Sequence, residues 1–257
     1  MLGSLVYIVL ALASLVTAAI SAMLGMAGGI LLLAVMLCFL SHGEAIPTHA
    51  VVQLASNGTR VLAFFEHVDR RAFGRFLLGV LPGWALGVGL LWSLGEPQRA
   101  EPFLKALIGA FILGMTFVPR RPVGASAENG TGERGHLWLA GFLAGVAAMT
   151  VGTVGPLIAP FFPQAGLLKE RLIATKALCQ MSTHVAKIPG FLLLRDLNVS
   201  GLGLLAGVMV CMAVPGTLLG KRLLKGVSER HFWYAYRAAL TLAGVKLLVV
   251  DGLMQWI

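Results

Sequence analysis

Residues 2–40 form one apolar run without a single charged side chain. A membrane-spanning helix needs about 20 apolar residues, so the run is too long for one crossing. It is interrupted by Gly25-Met26-Ala27-Gly28-Gly29. Residues 137–168 behave alike and are interrupted by Gly152-Thr153-Val154-Gly155-Pro156. Glycine weakens a helix and proline removes one of its N–H donors. Each segment therefore reads as a broken helix or a hairpin with a glycine tip. Composition agrees with a bilayer setting. The 257 residues are 58% hydrophobic and 12% charged, against roughly 45–50% and 25% in soluble domains. Mean hydropathy is +0.86. A soluble fold of this length could not cover so much apolar surface.

Between the interrupted segments lie simpler candidate spans at 46–66, 75–95, 102–119, 172–194 and 200–221. A sixth, 232–251, opens with Trp233, Tyr234 and Tyr236, residues suited to a membrane interface. The stretch 120–136 is a polar, Gly- and Pro-containing connector, predicted to be cytoplasmic. It divides the chain into a first membrane repeat, 1–119, and a second, 137–257. Laid over itself so that Gly25 meets Gly152, the chain also aligns Gly28 with Gly155, Gln53 with Gln180 and Asp69 with Asp196. Repeats of this size are a sequence mark of secondary-transporter folds.

Charge orients the repeats. If each interrupted segment returns to its starting side, Arg70, Arg71, Arg75, Arg120, Arg121, Arg134, Lys169, Arg171, Lys221, Arg222, Lys225 and Arg230 all share one side. Arg99, Lys105 and Arg195 then stand near the other. Basic loops favour the cytoplasm, so this arrangement is the expected one. It makes the repeats inverted. The predicted fold is thus all-α and integral to the membrane, with two inverted repeats, each a glycine-broken helix or hairpin plus three transmembrane helices. The formal net charge of +9 is spread through these loops, and no basic stripe interleaved with aromatics suggests nucleic acid. Cys38, Cys179 and Cys211 are isolated in apolar segments and show neither metal spacing nor a disulfide framework. The small residues of Thr17–Ala22 resemble a signal-peptide end, but the first Lys or Arg is Arg60, so residues 1–24 are expected to stay as a membrane helix.

One polar pattern runs through the helices. His49, Gln53, Asn57 and Arg60 stand at i, i+4, i+8 and i+11 on one helical face. Their repeat mates Lys176, Gln180, His184 and Lys187 keep the same spacing, with Thr48, Ser56, Thr175 and Thr183 beside them. Polar groups in a bilayer are costly and usually face the bundle interior. The stripes supply amide and hydroxyl donors and positive charge, whereas every acidic residue falls in a loop or at a helix end. That chemistry suits a small oxyanion bound by Gln53, Asn57, Arg60, Gln180, His184 and Lys187. The breaks add Gly25, Gly28, Gly29, Gly152 and Gly155, where half-helices could aim backbone N–H groups at the anion. A carboxylate relay for protons is not visible, and His184 is the titratable group best placed to carry one.

Blander readings stand beside these. Arg60 and Lys187 lie about two turns from a helix end and could snorkel to the interface. His49, Lys176, Arg237 and Lys246 are nearer the ends still, and snorkelling is the expectation for them. His184 could be a satisfied core histidine, and Gln53 and Gln180 could simply join helices. The glycines could be close-packing sites, since Gly25 and Gly29 are a small-xxx-small pair.

No HExxH, GxSxG or P-loop is present, so no enzyme activity, cofactor or metal is expected. The segments GMAGGILL (25–32), AIPTHAVVQLASNGTRVLAFFEHVDRR (45–71) and GTLLGKRLLKGVSERHFWYAYRAALTLAGVKLL (216–248) resemble the TauE/SafE-type sulfite and organosulfonate exporters. The first glycine break carries Ala27 where the family has glycine, and Gly152–Pro156 departs further. The resemblance implies export of sulfite, sulfonates or related sulfur-containing anions across the inner membrane without ATP hydrolysis by this chain. The expected partners are a small anionic substrate and the lipid bilayer, with a homodimer left open. An uptake permease and a non-transporting scaffold are the competing readings.

Overall fold

A computed structural model describes residues 3–24, 28–95, 97–117, 136–167, 169–193, 202–223 and 229–256. The described residues form helices and turns, with no strand among them. In chain order the helices are α1 Ser4–Leu24, α2 Gly28–Met36, α3 His42–Ala63, α4 Arg70–Ser93 and α5 Pro97–Phe117. After the connector come α6 Leu137–Thr150, the single turns α7 Gly155–Ile158 and α8 Phe161–Gln164, α9 Lys169–Leu193, α10 Leu202–Leu223 and α11 Glu229–Val245. A π-helical stretch, Lys246–Val250, continues α11. Residues 118–135, which hold all of the 120–136 connector except His136, and Gly25 lie outside the described residues.

Helices α3 and α4 begin earlier than hydropathy alone indicates, because polar caps open them. Glu44 of α3 turns back to accept from the Ser41 N–H at 3.1 Å and the Ser41 hydroxyl at 2.8 Å, as a capping-box glutamate does. Asp69 opens α4 by accepting from the N–H groups of Arg71 and Ala72, both at 3.0 Å. The second break departs from expectation. A half-helix was predicted after Pro156, but α7 and α8 are one turn each. Pro156, Pro160 and Pro163 lack the N–H groups a longer helix would need. At the first break the chain does reverse: Gly28, opening α2, packs back on Thr17 and Ser21 of α1.

Glycine contacts set how the long helices lie. Along α4 and α6, Gly79 meets the backbone of Trp138, Gly83 that of Phe142, and Gly145 that of Val80 and Trp84. The register advances in the same sense on both helices, so they run parallel. Gly216 and Gly220 of α10 meet the backbone of Leu15 and Ala19 of α1, again parallel. Such backbone contact is open only to the smallest side chains and gives tight packing where lipid supplies no hydrophobic drive. In contrast, α5 and α11 are antiparallel, with Gly109 against Gly244 and Leu248, and Gly252 against Ala106. The central pair α3 and α9 is antiparallel too. His42 stacks near Phe191 with ring centroids 6.0 Å apart, His49 faces His184, and the Asp69 N–H donates to Thr175 Oγ1 at 2.9 Å.

The outward surface is apolar, with Leu5, Ile8 and Leu12 on α1, Leu78, Leu81 and Trp92 on α4, and Leu204 and Leu218 on α10 exposed. Helices α1, α4 and α10 are long and apolar enough to cross a membrane. The chain is a membrane protein. Its ends differ. Ser56 and Thr217, each in the last third of its helix, meet at 3.3 Å, so α3 and α10 finish at the same end. Arg70, Arg71 and Arg75 are exposed there. At the opposite end the charges are paired, Lys105 with Glu101 at 3.0 Å and Lys246 with Asp251 at 2.6 Å.

Candidate functional site

The antiparallel packing of α3 on α9 brings their polar stripes face to face. Thr48, His49, Gln53, Ser56, Asn57 and Arg60 are buried on α3, and Thr175, Lys176, Gln180, Thr183, His184 and Lys187 on α9. The cations do not snorkel. Arg60 is 6% exposed, Lys176 2% and Lys187 0%. This corrects the expectation for Lys176 and His49: sequence position put them near helix ends, but both helices extend beyond them and neighbouring helices cover them.

A chain of contacts joins the two glycine breaks through this interface. The His49 Nε2–H donates to the Gly29 carbonyl at 2.9 Å. The His49 and His184 rings meet nearly edge to face, 5.6 Å between centroids and 70° between planes. His184 Nδ1 lies 3.1 Å from Lys187 Nζ, which also donates to the Gly152 carbonyl. Gly152 has φ of +80°, a backbone region that disfavours any side chain with a Cβ. A Cβ there would also strike Ile46. Nearer the other end of α3, the Arg60 Nε–H donates to the Ser56 carbonyl at 3.4 Å.

The breaks therefore behave differently from expectation. They were predicted to offer N–H groups to an anion. At Gly29 and Gly152 it is the carbonyl that turns toward the polar stripes, because a buried cation or imidazole N–H needs an acceptor and carbonyls stand closest. Gly28 has a packing role against α1, while Gly29 faces the Gln53 amide. Gly155 is buried at the start of α7. With α7 a single turn, no helix dipole is built there.

What this interior lacks defines its chemistry. The carboxylates near helix ends are engaged elsewhere: Glu44 on Ser41, Glu101 on Lys105, Asp251 on Lys246 and Asp69 on Arg171 at 2.7 Å. No described carboxylate pairs with Arg60 or Lys187. Several buried polar atoms have no hydrogen-bond partner: Thr48 Oγ1, His49 Nδ1, both amide atoms of Asn57 and Gln180 Oε1. A buried polar group left unpaired is costly, so a cluster of them points to a missing occupant. No group of His, Cys, Asp or Glu among the described residues could hold a metal ion. The interior offers amides, hydroxyls and cations, the set that recognises an oxyanion.

Two contributors were not legible. Thr217 reaches α3 from α10, and only its small-residue neighbourhood hinted at close approach. His42 ties α3 to the second break through the Thr150 carbonyl at 3.3 Å; its place beside a helix cap gave no hint of a bond more than one hundred residues away.

No curated protein matches the chain. The profile of the family described as sulfite exporter TauE/SafE matches residues 10–247, nearly the whole length, and the chain belongs to that family of membrane transporters.

Proposed function

We propose that this protein exports sulfite, sulfonates or similar small sulfur-containing anions across the cytoplasmic membrane, without hydrolysing ATP. In this reading it is a multi-pass protein of two inverted repeats, α1–α5 and α6–α11, with the anion bound between α3 and α9. The observation that carries it is the buried pair Arg60 and Lys187, set among unpartnered amides and paired with no described carboxylate. Burying cations is so costly that an anionic occupant is the economical explanation.

The inverted arrangement has support of its own. Exchanging the halves turns the pair α1/α10 into α6/α4, and both pairs are parallel. It maps α3/α9 and α5/α11 onto themselves, and both are antiparallel. A two-fold axis lying in the membrane plane relates helices in this manner. The exposed Arg70, Arg71 and Arg75 then mark the cytoplasmic end.

The deciding experiment is flux from proteoliposomes loaded with sulfite, methanesulfonate, acetate or chloride. Saturable efflux of the sulfur oxyanions, lost in Arg60→Gln/Lys187→Gln, is expected. Efflux no faster than from protein-free liposomes for the whole panel refutes the assignment.

A further inference from the structure

We propose that the anion enters this site together with one proton, and that the proton is received by Nδ1 of His49. The inference rests on the anion-binding reading above and adds a second ligand to the same site.

The argument starts from proton positions fixed by the acceptors. A carbonyl oxygen can only accept, so the His49 nitrogen facing Gly29, Nε2 at 2.9 Å, carries hydrogen. In the neutral ring Nδ1 is then a bare lone pair. It is buried and has no hydrogen-bond partner. The neighbouring pair has no such vacancy where its nitrogens meet. Lys187 donates to the Gly152 carbonyl, and the contact between Lys187 Nζ and His184 Nδ1 at 3.1 Å holds one hydrogen between two nitrogens. Whichever nitrogen owns it, there is no free lone pair at that contact.

An oxyanion drawn in by Lys187, which lies beside the ring partner of His49, meets the bare lone pair of His49. Two acceptors facing each other repel, and neither can make a hydrogen bond. Protonating Nδ1 turns the repulsion into a charge-assisted donor. The groups facing His49 are His184 and Lys187 on α9 and the Gly29 carbonyl on α2, with Arg60 and Lys176 further along the same interface. All the charged ones are cations. They oppose protonation of His49 in the empty site and cease to do so once an anion neutralises them. Binding of anion and proton is therefore mutually reinforcing. If both are released on the far side, a monoanion crosses with no net charge.

The test is calorimetric titration of the purified full chain with methanesulfonate, which brings no proton of its own. Two buffers of different ionisation heat are used, neither an oxyanion, such as Tris and imidazole. The expected result is uptake of about one proton per anion, and a Kd that rises about tenfold per pH unit on the alkaline side of the titration. His49→Gln is expected to bind more weakly with no proton uptake. Binding of wild-type protein without proton uptake overturns the proposal, and so does uptake that persists in His49→Gln. The wild-type measurement decides the matter even if a variant fails to fold. If methanesulfonate and sulfite both fail to bind, the anion reading falls first and takes this one with it.

Discussion

Lys187→Met separates what the buried ammonium does for folding from what it does for binding. Methionine has nearly the same length and no charge. The substitution leaves the Gly152 carbonyl without its donor and His184 Nδ1 without its partner. An unsatisfied buried group costs roughly 1–3 kcal/mol. Against that, the variant no longer holds a fully buried cation away from water, a penalty of several kcal/mol in real proteins. The two effects oppose each other, and the stability change is expected to stay within about 2 kcal/mol. Binding has no such compensation. A unit charge about 4 Å from an anion, at an effective dielectric constant of about 20, contributes about 4 kcal/mol. Loss of half to all of that weakens Kd by roughly thirtyfold to a thousandfold. Thermal unfolding in detergent measures the first quantity and titration with sulfite or methanesulfonate the second. A variant that unfolds like wild type and binds within about threefold of it refutes the reasoning, because the ammonium would then face nothing that binds.

Arg60→Lys is expected to lose affinity even though charge is retained, since lysine cannot reproduce the planar fork of donors; equal Kd values by titration would show that only the charge counts. Gly152→Ala places a Cβ at φ +80° and against Ile46, costing about 2–4 kcal/mol from strain and overpacking, to be read as a lowered unfolding temperature. At Asp69, burial alone would raise the carboxyl's pKa, but the Ala72 N–H, Arg171 and the Arg71 N–H together hold it below the ordinary carboxylate value. Its contribution to stability is therefore present above the unfolded-state pKa and is lost as pH falls through the lower folded one. Asp69→Ala should cost about 1–2 kcal/mol, mostly the helix cap, because Arg171 is half exposed and the ion pair is worth only about 0.2–1 kcal/mol. Single cysteines at Gly3 and Gly95 should react with an impermeant reagent from outside the cell, and one at Glu66 from inside; matching reactivity at Gly95 and Glu66 would contradict the inverted arrangement.

The stripes were legible because they are built from period and chemistry. Residues at i, i+4, i+8 and i+11 share a face whatever surrounds them, and the polar face of a membrane helix turns inward. Antiparallel packing of α3 on α9 then brought the stripes together. What the sequence concealed is contact between distant segments. His49 was assigned to the interface because its distance from a helix end was counted along hydropathy, whereas Ser41 and Glu44 start α3 earlier. The carbonyls of Gly29 and Gly152 were illegible as acceptors, because every residue has one and only the fold decides which is turned inward. The length of α7 was misjudged for a local reason that was visible: prolines at 156, 160 and 163 forbid a longer helix.

The Asp69–Arg171 pair has a consequence for how the two mouths of the protein share the work. In the repeat correspondence, Asp69 answers to Asp196 and Thr175 to Thr48, but Arg171 answers to Glu44. The Asp69 end therefore has an acid and a base to clasp, whereas the position that matches Arg171 is itself an acid. Glu44 is instead folded back on its own helix cap at Ser41. A single divergent position thus lets α4 and α9 clasp at the Asp69 end, while its counterpart is spent inside the cap of α3, so the two halves are not interchangeable there.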